Sequence, residues 1–170
     1  MVRRSRDGDE SAFGALVERH HAVVYRMAFS MLSDADLAQD VAQDAFLRAY
    51  RALGDFRGDA AFRTWLLTIT ANEARGALRR RGRRKETALE NAGPVPHEGR
   101  DPEEEAVMNT EARRARAMME KLPEKQRLSV SLRVEEGLSF REIGSVIGSS
   151  EGAARVNYFH GIRRLRELME

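Results

Sequence analysis

The chain has 170 residues, 42% of them hydrophobic and none of them cysteine; at about 100–200 residues per domain this allows one domain or two small ones. Without cysteine there are no disulfide scaffolds, thiolate zinc sites or cysteine nucleophiles, and the composition suits a reducing cytoplasm. No apolar run approaches the roughly 20 residues needed to span a bilayer, and the charged start MVRRSRDGDE leads into no apolar signal-peptide core, so neither secretion nor membrane insertion is expected.

The net charge of +2 is spread unevenly. Residues 1–85 carry +5, residues 86–112 carry −7 and residues 113–170 carry +4. Two basic blocks joined by an acidic strip suggest two modules that meet polyanions and a connector that does not.

Helical periodicity opens the first block. Phe13, Leu16, Val17, Val24, Met27 and Met31 fall near one stripe. Ser33-Asp34 then supplies a stop and a new N-cap. The spacing predicts a second helix over about 34–53, with Leu37, Val41, Ala45, Phe46, Ala49, Tyr50 and Leu53 facing inward. Gly54-Asp55 and Gly58-Asp59 bracket a short loop that holds Phe56 and Arg57. A third helix is expected from about Ala60 through Trp65, Leu66, Ile69, Ala74 and Leu78 to the basic run at 79–85.

Residues 86–102 hold three of the four prolines, many acids and almost no large apolar residue. They read as a solvated linker, with 103–112 a helical lead-in. Beyond it the pattern is helical again: a short helix at 113–122 ahead of Pro123, another at 124–136 ended by Gly137, and a capping box, Ser139-Phe-Arg-Glu142, that opens a third. Gly148 ends that helix, Ser149 or Ser150 caps the next, and the last helix runs to about Met169, with Ala154, Tyr158, Ile162, Leu165 and Met169 inward. No strand signal appears, so the fold class is all-α: an N-terminal helical bundle and a C-terminal helix-turn-helix.

Four constellations bear on function. A short capped helix, a Gly turn and a longer polar helix make a helix-turn-helix, whose second helix meets base edges in the major groove. Arg155, Asn157 and His160 project from it, with Arg163 further along, and Arg and Asn can pair bidentately with purine edges; a solvated helical hairpin is the plainer reading. The run at 79–85 puts six positive charges in seven residues, which suits phosphates or, more simply, a frayed helix end that favours cations. Asp36, Asp40 and Asp44 recur every four residues, a slightly destabilising pattern that suits a basic protein surface or is relieved by an Asp44–Arg48 pair. Phe56, Phe62, Trp65 and Asn72 lie beside positive charge, as single-strand stacking requires, although a lone Trp also serves as core. Phe56 and Arg57, on their loop, are the better contact candidates. No Gly-rich phosphate loop, G-x-S-x-G or H-E-x-x-H is present, and no cofactor or metal-ligand set is legible. His20-His21 reads as a surface or boundary pair.

The segments at 40–51 (DVAQDAFLRAYR), 56–66 (FRGDAAFRTWL), 122–127 (LPEKQR), 137–144 (GLSFREIG) and 150–152 (SEG) together resemble the bacterial extracytoplasmic-function (ECF) sigma factors. The resemblance covers about 11–85 and 113–170. It implies a non-enzymatic initiation factor that gives core RNA polymerase its promoter specificity. It implies a region 2-like domain at 1–85, an acidic linker at 86–112 and a region 4-like helix-turn-helix domain at 113–170. By the same resemblance Asp36, Asp40, Gln43, Asp44, Phe46 and Arg48 bind the polymerase, through the clamp helices and flap of its large subunits. Phe56, Arg57, Trp65, Asn72, Arg75, Arg79, Arg80, Arg83 and Arg84 meet the −10 element. Arg141, Ser150, Glu151, Arg155, Val156, Asn157, Phe159, His160 and Arg163 meet the −35 element. An anti-sigma protein is a further implied partner, because the sequence ends soon after the last helix, where some relatives carry a sensory domain. The chain departs from the family pattern at Ala153-Ala154, where Thr-Val is usual, at Gly144, where alanine is commoner, and at Val156-Asn-Tyr-Phe-His160, where arginines are frequent. A stand-alone helix-turn-helix regulator and a protein-only adaptor are the competing readings.

Overall fold

The computed structural model describes residues 1–91 and 110–170, and among them every regular element is helical. A short α1 (Val2–Arg6), not anticipated from the sequence, precedes α2 (Glu10–Leu32). Asp9 joins them: its carboxylate caps α2 at the Ala12 N–H, 3.0 Å away, and accepts from Arg4 at 2.7 Å. The Ser11 hydroxyl, the Ala12 N–H and Arg4 lower the Asp9 pKa to about 2.

Ser33, with φ 50°, ends α2 in a left-handed residue, and Asp34 caps α3 (Ala35–Ala52) by accepting from the Leu37 N–H at 2.9 Å. A 3-10 turn (Leu53–Asp55) leads through the Gly58 loop to α4 (Phe62–Asn91). This helix starts two residues later than expected and runs six beyond Lys85, into residues assigned to the linker. Glu86, Thr87, Ala88, Leu89 and Glu90 contain no breaker, and the first ones come at Gly93-Pro94. The rest of the expected linker and most of its helical lead-in, residues 92–109, lie outside the described residues.

The second region comprises α5 (Thr110–Glu120), α6 (Glu124–Val134), α7 (Phe140–Ile147) and α8 (Glu151–Met169). Glu142 and Ser139 complete the expected capping box at the start of α7. Gly148, φ 66°, ends α7, and the Ser150 hydroxyl, not Ser149, accepts from the Ala153 N–H at 3.1 Å to start α8.

Two clusters form the interior. Leu16, Val24, Ala45, Phe46, Leu53, Phe56, Phe62 and Leu66 close the first among α2, α3 and α4. The second is shared between the regions: Met27, Met31, Val41, Leu67, Ala71 and Ala74 meet Leu128, Leu132, Leu138, Ile143, Val146 and Ile147. The sequence suggests two modules tied by a connector; the structure packs them on one another, chiefly α4 on α7. Two residues expected inward are not. Tyr50 is 45% exposed although its ring lies 4.9 Å from that of Phe13, and Met169, in the last turn of α8, is 72% exposed. No helix among the described residues is long and apolar enough to cross a membrane.

Candidate functional site

On α3 the small and apolar residues Ala38, Val41, Ala42, Ala45, Phe46 and Ala49 turn inward. That amphipathic division leaves Asp36, Asp40, Gln43 and Asp44 exposed on the other face, beside an exposed Leu47. None of the three aspartates has an ion-pair partner among the described residues. The expected Asp44–Arg48 pair does not form: Arg48 bonds instead to Glu73 of α4. Phe46 is buried, its ring stacked 6.4 Å from that of His21, so it supports the helix from behind and offers no surface; the expectation of direct contact is corrected there.

Within the first interior cluster, Phe56, Phe62 and Trp65 form an aromatic knot with ring centroids 4.9–5.9 Å apart. The 3-10 turn folds Phe56 into it, leaving the side chain only 9% exposed, because a ring on a Gly-bounded loop gains more from a neighbouring apolar pocket than from water. Phe56 is therefore core, a second correction, while Arg57 is exposed and Trp65 half-buried.

Along α4, Asn72, Arg79, Arg80, Arg83 and Arg84 are exposed. Arg80, Arg83 and Arg84 lie together on one open face with Thr87 and Ala88, a cationic surface that suits a phosphate backbone. Arg75 differs. Its Nε donates to Glu124 of α6 at 3.0 Å, Nη1 lies 3.5 Å from the side-chain Oδ1 of Asn72, and the buried Nη2 has no partner among the described residues.

The helix-turn-helix is tight because Gly144 brings α7 against the turn: a Cβ there would lie 2.9 Å from the Ser149 carbonyl oxygen. Gly161 lets α8 close on α6 in the same way, with Val130 Cγ2 2.7 Å from where a Cβ would sit. The outward stripe of α8 is Glu151, Arg155, Val156, Phe159, His160 and Arg163, and Arg141 and Ser150 are exposed nearby. Arg155 pairs with Glu151 at 3.3 Å and its guanidinium lies 5.3 Å from the Phe140 ring. Arg163 is 4.0 Å from Glu167. Asn157 does not project as expected: its amide N–H donates to the Ala153 carbonyl at 2.8 Å.

Sequence reasoning missed the residues that join the regions. Glu136 accepts from Arg26 at 2.6 Å and from Arg63 at 2.5 Å, and the Thr64 hydroxyl lies 3.1 Å from Glu142. The ring of Phe29 packs under the Arg116 guanidinium at 3.7 Å. Pairs separated by 73 to 110 positions carry no local periodicity and give no sequence signal. Near the same seam, burial lowers the pKa of His20, with Arg19 and Arg63 adding to the shift.

Sigma-70 region 2 matches residues 16–84 and Sigma-70 region 4 matches residues 112–165. Over its whole length the chain is 38% identical to the RNA polymerase sigma-H factor of Pseudomonas aeruginosa, 90% of which it covers. It is 35% identical to the ECF RNA polymerase sigma-E factor of Escherichia coli, 91% of which it covers. The chain belongs to the ECF sigma factor family. Its fold is similar to that of CnrH in complex with the cytosolic domain of CnrY, with a TM-score of 0.75 at 27% identity over 99% of this chain and 94% of that one. It is also similar to the sigma factor RpoE bound to the anti-sigma factor NepR from Bartonella quintana, with a TM-score of 0.76 at 21% identity over 93% and 96% of the two chains. This ECF sigma factor is a non-enzymatic factor for promoter-specific transcription initiation, acting with core RNA polymerase and promoter DNA.

Proposed function

We propose that this sigma factor divides its work as the two matched regions suggest. Residues 1–85 bind core polymerase and capture the −10 element, residues 113–170 read the −35 element, and residues 86–112 connect them. Asp36, Asp40, Gln43 and Asp44 make the polymerase contact, with Phe46 holding α3 from inside and Arg48 anchored on Glu73. Arg57, Trp65, Asn72, Arg79, Arg80, Arg83 and Arg84 make the −10 contact, joined by Arg75 once it leaves Glu124. Phe56 shapes this surface from within the aromatic knot. Arg141, Ser150, Glu151, Arg155, Val156, Phe159, His160 and Arg163 make the −35 contact. Asn157, tied to its own helix, braces them. The factor works in the cytoplasm and is held by an anti-sigma protein, the kind of partner NepR is for RpoE.

The observation that carries this reading is the row of exposed aspartates on α3 without ion-pair partners. Such a row repels itself and gains from a cationic partner surface. Run-off transcription tests it. Adding the chain to active bacterial core polymerase on genomic promoter fragments is expected to produce new start sites, and the double variant Asp40→Arg, Asp44→Arg is expected to produce none. Unchanged start sites with the wild-type chain overturn the reading.

A further inference from the structure

We infer that Val156 and Phe159 read the −35 duplex through the methyl groups of thymine, an inference that rests on the −35 role proposed above for α8. Val156 is 53% and Phe159 58% exposed. They are three residues apart, so both lie on the outward face of the helix. Single exposed apolar side chains are ordinary, but two adjoining ones in the half of a recognition helix nearest its N-terminus form a patch that water solvates poorly. Phe159 is held outward: its ring contacts Tyr158 at 5.2 Å and Phe140 at 6.5 Å, and Tyr158 in turn meets Phe140 at 5.5 Å.

Beside the patch, one polar side chain is tied to its own helix, while Arg155, in an exposed pair, and His160 remain available for hydrogen bonds. Asn157 is bonded to Ala153, and Arg155 is shared between Glu151 and the Phe140 ring. Around the patch the exposed charges are mainly cationic, with Arg163, Arg164 and Arg166 further along the helix. An apolar centre with a cationic margin matches the major groove, where phosphates line the walls and the thymine C5 methyl is the apolar group on the floor. A basic margin argues against an apolar protein helix as the occupant.

The test removes only the methyl. A duplex promoter is selected from a randomised library by holoenzyme assembled from the full chain and core polymerase. Each −35 thymine is then replaced in turn by deoxyuridine, which keeps pairing and every hydrogen-bonding atom. At one or two positions the replacement is expected to lower holoenzyme binding about fourfold, the worth of one buried methyl-sized group. In Val156→Ala or Phe159→Ala holoenzyme the same replacement is expected to have no further effect. Both substitutions sit on an exposed helical face, and an unchanged thermal melt verifies the fold. Thymine-independent binding by a holoenzyme that still initiates at the unsubstituted promoter overturns this inference while leaving the sigma reading intact. A deoxyuridine effect that persists undiminished in both variants overturns it as well. Failure to initiate at any selected promoter removes both together.

Discussion

Arg63 of α4 holds Glu136 twice, through the carboxylate at 2.5 Å and through the backbone carbonyl at 2.9 Å. Arg26 takes the other carboxylate oxygen at 2.6 Å. The Glu136 side chain is 9% exposed, whereas those of Arg26 and Arg63 are 52% and 36% exposed. Glu136→Ala therefore removes one nearly buried anion from two partly solvated cations. After allowing for that solvation the loss is about 1–2 kcal/mol of contact between the regions. Small-angle scattering is expected to show a larger radius of gyration for the variant, with helix content unchanged.

Charge reversal at Asp40 and Asp44 separates binding from folding. Both side chains are exposed and neither has an ion-pair partner among the described residues. Circular dichroism melts of the double arginine variant are expected to match wild type, while native gels with core polymerase show no complex. Wild-type complex formation by the variant would remove α3 as the contact.

Arg155→Ala is expected to weaken initiation at promoters that depend on the −35 element by about 1–3 kcal/mol, the range for a side chain that reads a base. Its present partner, Glu151, is half-exposed, so little stability goes with it. Equal losses on templates with and without an intact −35 element would remove Arg155 from the readers.

Gly144→Ala tests the turn. The added methyl would sit 2.9 Å from two backbone atoms, the Ser149 carbonyl oxygen and the Ser150 carbonyl carbon, which cannot swing aside as a side chain would. Overpacking of this kind costs about 1–3 kcal/mol. Thermal denaturation is expected to start at lower temperature, and −35-dependent initiation is expected to fall with it.

Acid should loosen the start of α7. Glu142 accepts from the Ser139 N–H at 2.8 Å and from the Ser139 hydroxyl at 2.7 Å. These bonds, followed by one from Thr64, hold its pKa below the ordinary value. The unfolded chain then binds the proton more readily than the folded one, so the stabilisation is complete above the unfolded value, about 4.3, and is lost as pH falls through the folded one. Melting temperatures between about pH 3 and 6 are expected to fall on acidification, and to fall less for Glu142→Gln.

What the sequence made legible was local. Caps at Asp34 and Ser139, the stop at Gly148 and all of the inward stripe of α3 but Tyr50 are decided within a few residues of chain, and so is the acidic row. Phe56 was misread because a loop position says nothing of the pocket beside it. Arg48 was misread because Glu73, 25 residues away, competes with Asp44. The shared core of α4 and α7 was invisible for the same reason: each helix shows an apolar stripe, but neither names its partner.

That shared core has a thermodynamic corollary. Leu67 and Ile143 are fully buried in one apolar cluster, so drawing the two regions apart wets both. Any macromolecule that needs them separated must supply this free energy from its own contacts, and its apparent affinity is scaled down by the fraction of molecules already apart. A substitution at this seam that touches no DNA and no polymerase would thus retune how much factor a cell must make before a promoter responds.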